Sequence, residues 1–207
     1  MSIVELDQAV TLWINNLDTP AIYPLWQVLS DAKIWFPAYG IVMGFIIWKL
    51  GWKKGIAVCL SLILCVVVTD QLSGMVKDSV QRLRPCYNTW MISNGVIMPF
   101  GQTGHLYGFF SGHAANVFGF AAASSLGLSL NGKAVRQYSV GVFVWAALVS
   151  LSRIMMAAHF LGDVLVGTVF GLCIGALTAW LTSLLCSLFT PRHKKWGQLE
   201  SWPHKWR

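Results

Sequence analysis

Hydrophobic and polar positions alternate along this 207-residue chain on a coarse scale, as long apolar runs separated by short polar clusters. Five runs are long enough to be helices across a bilayer: residues 34–50, 55–76, 112–130, 139–156 and 161–189. The shortest amounts to about 26 Å of helix against a hydrocarbon core of about 30 Å, which suffices with flanking anchors. The first thirty residues follow another pattern. Ser2 and Glu5 have the spacing of a capping box, and Ile3, Leu6, Val10, Trp13 and Leu17 then recur at helical intervals, with Gln8, Thr11 and Asn15 elsewhere around the helix. Pro20 and Pro24 interrupt this stretch, and Ile22, Leu25, Trp26 and Leu29 form a second amphipathic one. Such a segment is expected to lie in the headgroup region on its apolar face, packing across the bundle being the alternative. The predicted fold is all-α: a polytopic membrane helical bundle of about five transmembrane helices with an N-terminal amphipathic helical segment, forming one domain over residues 1–207.

Composition agrees with a bilayer setting. Hydrophobic residues make up 56% of the chain and charged ones 11%, against about 25% charged in an average globular domain. Mean hydropathy is +0.59. The net charge of +7 does not point to nucleic acid, because Lys and Arg sit at the ends of apolar runs without forming a basic stripe. Glu5 and Asp7 stand where a signal peptide would be basic, so none is expected. Cys59, Cys65, Cys173 and Cys186 lie within apolar runs and read as small hydrophobes, while Cys86 alone sits in a polar loop.

Basic residues also predict an orientation. With five spans, Lys49, Lys53, Lys54, Lys133, Arg136, Arg192, Lys194, Lys195, Lys205 and Arg207 share one side, against Lys33, Lys77, Arg82, Arg84 and Arg153 on the other. The tail is then cytoplasmic, and the polar clusters face the periplasm or exterior.

Those clusters carry the candidate chemistry. Lys77 follows the second run, with six residues between it and Arg84-Pro85; Ser111-Gly112-His113 opens the third; Ser152-Arg153 ends the fourth; His159 and Asp163 open the fifth. All fall near one membrane face. Lys77 and Arg84 offer a compact charge and a planar donor fork to one phosphate, through two helical turns or a turn plus a loop. Basic anchoring of a helix end at the headgroups would explain that pair equally well, but not the histidines. Ser111 and Gly112 stand at a helix N-terminus suited to an anion, beside a proton carrier in His113. His159 and Asp163, four residues apart, share a helix face if the intervening backbone is helical, so that the carboxylate holds one imidazole nitrogen and leaves the other as nucleophile. Ionisable groups at a membrane boundary are functional candidates by default. The loop over residues 78–110, with Gly95, Pro99, Gly101 and Gly104, is expected to cover the site. Asp70 reads as an interior polar partner on the Lys77 face of its helix, Arg82 and His105 as water-facing, and Trp35, Trp48, Trp52 and Trp90 as interfacial anchors.

Taken together, the motifs resemble those of the type 2 phosphatidic acid phosphatase family, whose fold is shared with glucose-6-phosphatase and vanadium haloperoxidases. Lys77, Arg84 and Pro85 match the family's first pattern; Ser111, Gly112 and His113 match the second, with Phe110 in place of its proline; Ser152, Arg153, His159 and Asp163 match the third in full. The resemblance implies a metal-independent lipid phosphatase or diphosphatase that works through a phosphohistidine and needs no cofactor. It implies His159 as nucleophile, Asp163 as its orienting carboxylate and His113 as proton donor and acceptor. Lys77, Arg84, Arg153, Ser111 and the Gly112 backbone would bind phosphate. Expected partners are membrane lipids and a lipid phosphate or diphosphate substrate in a bacterial inner membrane. Undecaprenyl diphosphate is the leading substrate, with phosphatidylglycerophosphate, phosphatidic acid and lipid A phosphates as competitors. Vanadate-dependent halide oxidation and a non-enzymatic transporter are the readings from other classes.

Overall fold

The computed structural model describes residues 1–102, 104–131 and 135–189, the side chain of Phe189 excepted. Eight α-helices are present among them: α1 (Ile3–Asn15), α2 (Tyr23–Ser30), α3 (Phe36–Leu50), α4 (Trp52–Val80), α5 (Thr89–Ser93), α6 (Gly112–Leu128), α7 (Arg136–Met155) and α8 (Leu161–Phe189). The described residues form no sheet, and extended pairing is confined to one antiparallel bridge between Leu83 and Tyr107. Lys133, Arg192, Lys194, Lys195, Lys205 and Arg207, on which part of the predicted orientation rests, lie outside the described residues.

Four helices are long and apolar enough to cross a membrane: Ala32–Leu50, Trp52–Val80, Arg136–Met155 and Leu161–Leu188. The remaining predicted span corresponds to α6, whose 17 residues make about 26 Å of helix. Its short length fits its position. It lies in the middle of the bundle, packed on α8, α4 and α7, with most of its side chains buried. Small residues make that possible. A Cβ added at Gly171 of α8 would strike the carbonyl oxygen of Ala115 on α6, and one at Gly167 would strike the carbonyl oxygen of Ser111, so the two backbones touch directly. On the outside, Leu60 and Leu64 of α4 and Leu165, Val169, Leu177 and Leu184 of α8 are exposed, an apolar surface that lipid rather than water would cover.

The N-terminal helix keeps its apolar stripe outward, open to lipid, but its polar side meets the bundle rather than water. The capping box forms, with Glu5 N–H donating to Ser2 Oγ at 3.2 Å and Ser2 N–H to Glu5 Oε2 at 2.8 Å. The helix it starts is turned polar side in. Thr11 and Asn15 are fully buried, whereas Ile3, Leu6, Trp13 and Leu17 of the predicted apolar stripe are exposed. Asn15 Nδ2 donates to the carbonyls of Ile97, Ile154 and Met155 at 3.1–3.2 Å, and its Oδ1 accepts from Ile97 N–H at 2.7 Å. One amide thus satisfies loop carbonyls and the end of α7, which would otherwise be orphaned. Trp26 and Leu29 of α2 are buried against α6 and α7, so the second amphipathic stretch packs across the bundle. Trp48 and Trp52 are exposed at the α3–α4 corner, as anchors would be, but Trp35 packs edge-on against Trp145 with ring centroids 5.4 Å apart.

The α6–α8 seam should therefore tolerate no side chain. Gly171→Leu is expected to cost about 1–3 kcal/mol or more and lower the Tm in detergent by several degrees, whereas Gly44→Leu, where a Cβ meets open space, should leave the Tm nearly unchanged. Thermal unfolding of the two purified variants checks this.

Candidate active site

The polar clusters converge because four long elements end or begin at one level of the bundle. Lys77 lies in the last turn of α4, which stops as Gln81 takes a left-handed conformation (φ 53°). The chain then turns back, and Arg84 enters from the loop. Of the two routes open to the Lys77–Arg84 pair, the structure uses the turn plus loop. Arg153 ends α7, and Ser111 caps α6, its Oγ accepting from Ala114 N–H at 3.3 Å.

His159 and Asp163 do not share a helix. His159 lies in the turn between α7 and α8, where Ala157 has φ 51°, and Asp163 is the third residue of α8. Its Oδ2 accepts from Phe160 N–H at 3.0 Å, the reach-back half of a capping box, because Phe160 immediately precedes the helix. That same oxygen is 3.7 Å from His159 Nδ1, beyond hydrogen-bond reach. The predicted contact is present as an ion-pair distance, longer than a hydrogen bond, as catalytic contacts often are before substrate tightens them. Both side chains are buried. Burial, followed by the charges of Arg153, Arg84 and Lys77, lowers His159 well below the ordinary imidazole value of 6.5.

A cavity of about 620 Å³ brings the clusters together: Lys77, Arg84, Gly112, His113, Arg153 and His159 all line it. Arg84 is held by Nε donating to the Tyr107 carbonyl at 3.2 Å and Nη1 to that of Ala158 at 3.4 Å. Lys77 Nζ donates to Ser73 Oγ at 3.1 Å, whereas Arg153 Nε is buried with no protein acceptor. An unpaired buried guanidinium donor is what an incoming anion would satisfy. A Cβ on Gly112 would come within 2.6 Å of Ser73 Oγ and 3.4 Å of Lys77 Nζ, which explains a glycine there. His113 Nε2 lies 3.1 Å from the Ser30 carbonyl. A carbonyl only accepts, so Nε2 carries the proton and Nδ1 is left for proton exchange. Ser152 faces away from the cavity chemistry, its Oγ 2.8 Å from Ser30 Oγ.

The covering loop folds in as expected. Leu106 O accepts from Arg84 N–H at 3.1 Å, Arg82 O accepts from Gly108 N–H at 2.8 Å, and a Cβ on Gly108 would lie 3.5 Å from His159 Nδ1. His105 is exposed and lies on the cavity wall. Asp70 is also exposed and lines the same cavity. Cys86 is fully buried, its loop being pulled inward by the bond from its N–H to the Ala157 carbonyl at 3.1 Å.

Arg82 is only partly exposed, and its guanidinium is held by two carboxylates rather than left to water. Nη1 donates to Asp163 Oδ1 at 2.7 Å and Nη2 to Asp7 Oδ2 at 2.6 Å. Sequence reasoning missed this pairing, along with Ser30. Asp7, Thr11 and Asn15 recur every four residues as a polar stripe, and that stripe was the available signal; it reads as a water-facing side unless the apolar side is given to lipid.

A membrane bundle with a cation-lined cavity and two histidines at its helix ends defines a multi-pass membrane phosphatase of the PAP2 lipid-phosphatase type, a hydrolase of phosphate esters. Residues 54–185 match the PAP2 superfamily, and the chain belongs to that family. It is 26% identical over 189 residues to the lipid A 4'-phosphatase of Bacteroides thetaiotaomicron, spanning 91% of this chain and 80% of that one. With the lipid A 4'-phosphatase of Porphyromonas gingivalis it shares 27% over 176 residues, 84% of this chain and 71% of the other. In fold it is similar to the PAP2-type phosphatidylglycerolphosphate phosphatase of Bacillus subtilis, with a TM-score of 0.66 and 19% identity over 92% of this chain and 89% of that one.

Proposed function

We propose that this protein removes a phosphate from a lipid A-type glycolipid at the outer face of a bacterial inner membrane, through a phosphohistidine formed on His159. The observation that carries the reading is the convergence of Lys77, Arg84 and Arg153 with His159 and His113 on one cavity. In the first half-reaction His159 Nε2 bonds to phosphorus as the P–O ester bond breaks, and the leaving oxygen takes from His113 Nδ1 a second proton, which the ring takes up from the phosphate monoester as it binds while Nε2–H stays on the Ser30 carbonyl. Asp163, beside Nδ1 of His159, stabilises the positive charge that develops on the ring. In the second half, water gives its proton to His113 as its oxygen bonds to phosphorus and the P–N bond breaks. The three cations, the Ser111 hydroxyl and the Gly112 backbone would stabilise charge on the equatorial oxygens. The Asp163 contact need only tighten from 3.7 Å to become a hydrogen bond.

The substrate class draws on two features. The two relatives matched over most of their length are named as lipid A 4'-phosphatases, and the carboxylate of Asp70 on the cavity wall suits a neighbouring sugar hydroxyl or amide better than a second phosphate. Away from the charges the cavity is lined by Tyr39, Met43, Leu62, Phe120 and Trp145, a surface for an acyl chain. Undecaprenyl diphosphate, the substrate expected from the family resemblance of a short chain with an exterior-facing site, is the second candidate on account of that same apolar lining.

Phosphate release by the purified protein across lipid A, undecaprenyl diphosphate, phosphatidylglycerophosphate and phosphatidic acid decides between them. Lipid A should lead by about tenfold or more in kcat/KM, and a lead for undecaprenyl diphosphate would reverse the assignment. His159→Ala should lose at least about 10³-fold, and normal turnover by that variant would sink the covalent mechanism.

Because His159 sits below its ordinary value, it stays unprotonated as pH falls through 6.5 and charges only at lower pH. The acid limb of kcat/KM assigned to it should therefore lie below the usual imidazole range; a midpoint at 6.5 would show a solvated nucleophile.

Orientation can be read at the covering loop. Asn94 is exposed, and Asn94→Cys should react with an impermeant thiol reagent on intact spheroplasts, with buried Cys86 not competing. Labelling only after lysis would place the site in the cytoplasm.

A further inference from the structure

Resting on the assignment of His159 and Asp163, we propose that Arg82, anchored by Asp7 of the N-terminal helix, is a positioning residue for the nucleophile. Neither side chain lines the cavity; both act through Asp163. The buried carboxylate of Asp163 has two sides. Oδ2 takes the Phe160 N–H at 3.0 Å and faces His159 Nδ1, while Oδ1 takes Arg82 Nη1 at 2.7 Å. With one oxygen pinned from the far side, the carboxylate cannot rotate away from the imidazole, and its charge has a partner without which burial would be costly.

Arg82 is itself held on two further sides. Nη2 donates to Asp7 Oδ2 at 2.6 Å, and the guanidinium lies 4.2 Å from the ring centroid of Phe160, the residue between His159 and α8. The α1 helix also caps α8 directly. Asp7 Oδ1 accepts from Gly162 N–H at 2.8 Å and Thr11 Oγ1 from Leu161 N–H at 2.9 Å, two first-turn donors that have no partner within their own helix. Asp7 thus fixes both the backbone that carries Asp163 and the guanidinium that orients its side chain. This gives α1 a role in the chemistry although none of its residues reaches the cavity.

The test compares wild type, Arg82→Ala, Arg82→Lys and Asp7→Asn with radiolabelled lipid A in detergent, measuring kcat, KM and, by acid quench, the rate and amplitude of phosphoenzyme formation. Asp7→Asn keeps an oxygen that can cap Gly162 while removing the charge that anchors Arg82. Arg82→Ala should lower kcat and the rate of phosphorylation by about 100-fold with KM within about threefold, and the number of sites that become phosphorylated should be retained. Arg82→Lys should recover about tenfold of that loss, and Asp7→Asn should lose about fivefold. A structural role alone would reduce the number of phosphorylated sites and leave the rate at each survivor unchanged, which overturns the proposal, as does a wild-type rate in Arg82→Ala. Absence of any phosphoenzyme in the wild type instead removes the covalent reading beneath it.

Discussion

A surplus of positive charge drawn partly out of water is the constraint around which this molecule is arranged. Lys77, Arg84 and Arg153 line one cavity beside an imidazole pushed toward its neutral form, and each cation taken from water costs several kcal/mol unless polar groups surround it. The fold meets part of that cost with backbone carbonyls of Tyr107 and Ala158 and the hydroxyl of Ser73. It leaves Arg153 Nε without a protein acceptor. The cations are delivered by three separate elements, the end of α4, the returning loop and the end of α7, so their mutual repulsion is borne by the packing of the whole bundle rather than by any local turn. The phosphate group proposed to bind here would reverse the balance, and the largely apolar walls would make each of those attractions stronger than it would be in water.

Holding such a cluster requires a scaffold that does not give way, and the α6–α8 seam supplies it. With lipid outside the bundle, apolar side chains gain little by meeting one another, and close backbone approach contributes through dispersion instead. The Gly167 and Gly171 contacts bring α8 against α6 along the stretch that begins at the site. Asp163 O accepts from Ser111 N–H at 3.0 Å, so the first turns of both helices are tied together where Ser111, Gly112 and Asp163 must keep their places.

The N-terminal helix joins this scaffold in a manner peculiar to a bilayer. In water its exposed face would be polar; here Ile3, Leu6 and Trp13 are exposed and Asp7, Thr11 and Asn15 turn toward the protein. The arrangement is favourable because lipid accepts the apolar stripe, while the orphan ends of α7 and α8 and the Arg82 guanidinium need polar partners. The similarity to lipid A 4'-phosphatases spans most of the chain.

Much of this was legible in the sequence, for identifiable reasons. A helix crossing hydrocarbon must be long and apolar, so runs such as residues 55–76 and 161–189 located α4 and α8 without reference to anything they touch. Charged residues are rare in that setting, so Lys77, Arg84, Arg153, His159 and Asp163 stood out, and their position at run ends predicted one shared face. Hydropathy, however, describes a segment's solvent and says nothing of its neighbours. It could not show that His159 sits in a turn ahead of α8, that Cys86 is drawn into the interior, or that α6 is the central helix. Nor could it reveal that Arg82 pairs with carboxylates 75 and 81 residues away. An amphipathic pattern fixes two faces of α1 but not which of them meets protein, since lipid and core are equally apolar; that choice depends on which buried donors and acceptors elsewhere lack partners, and only the assembled tertiary structure decides it.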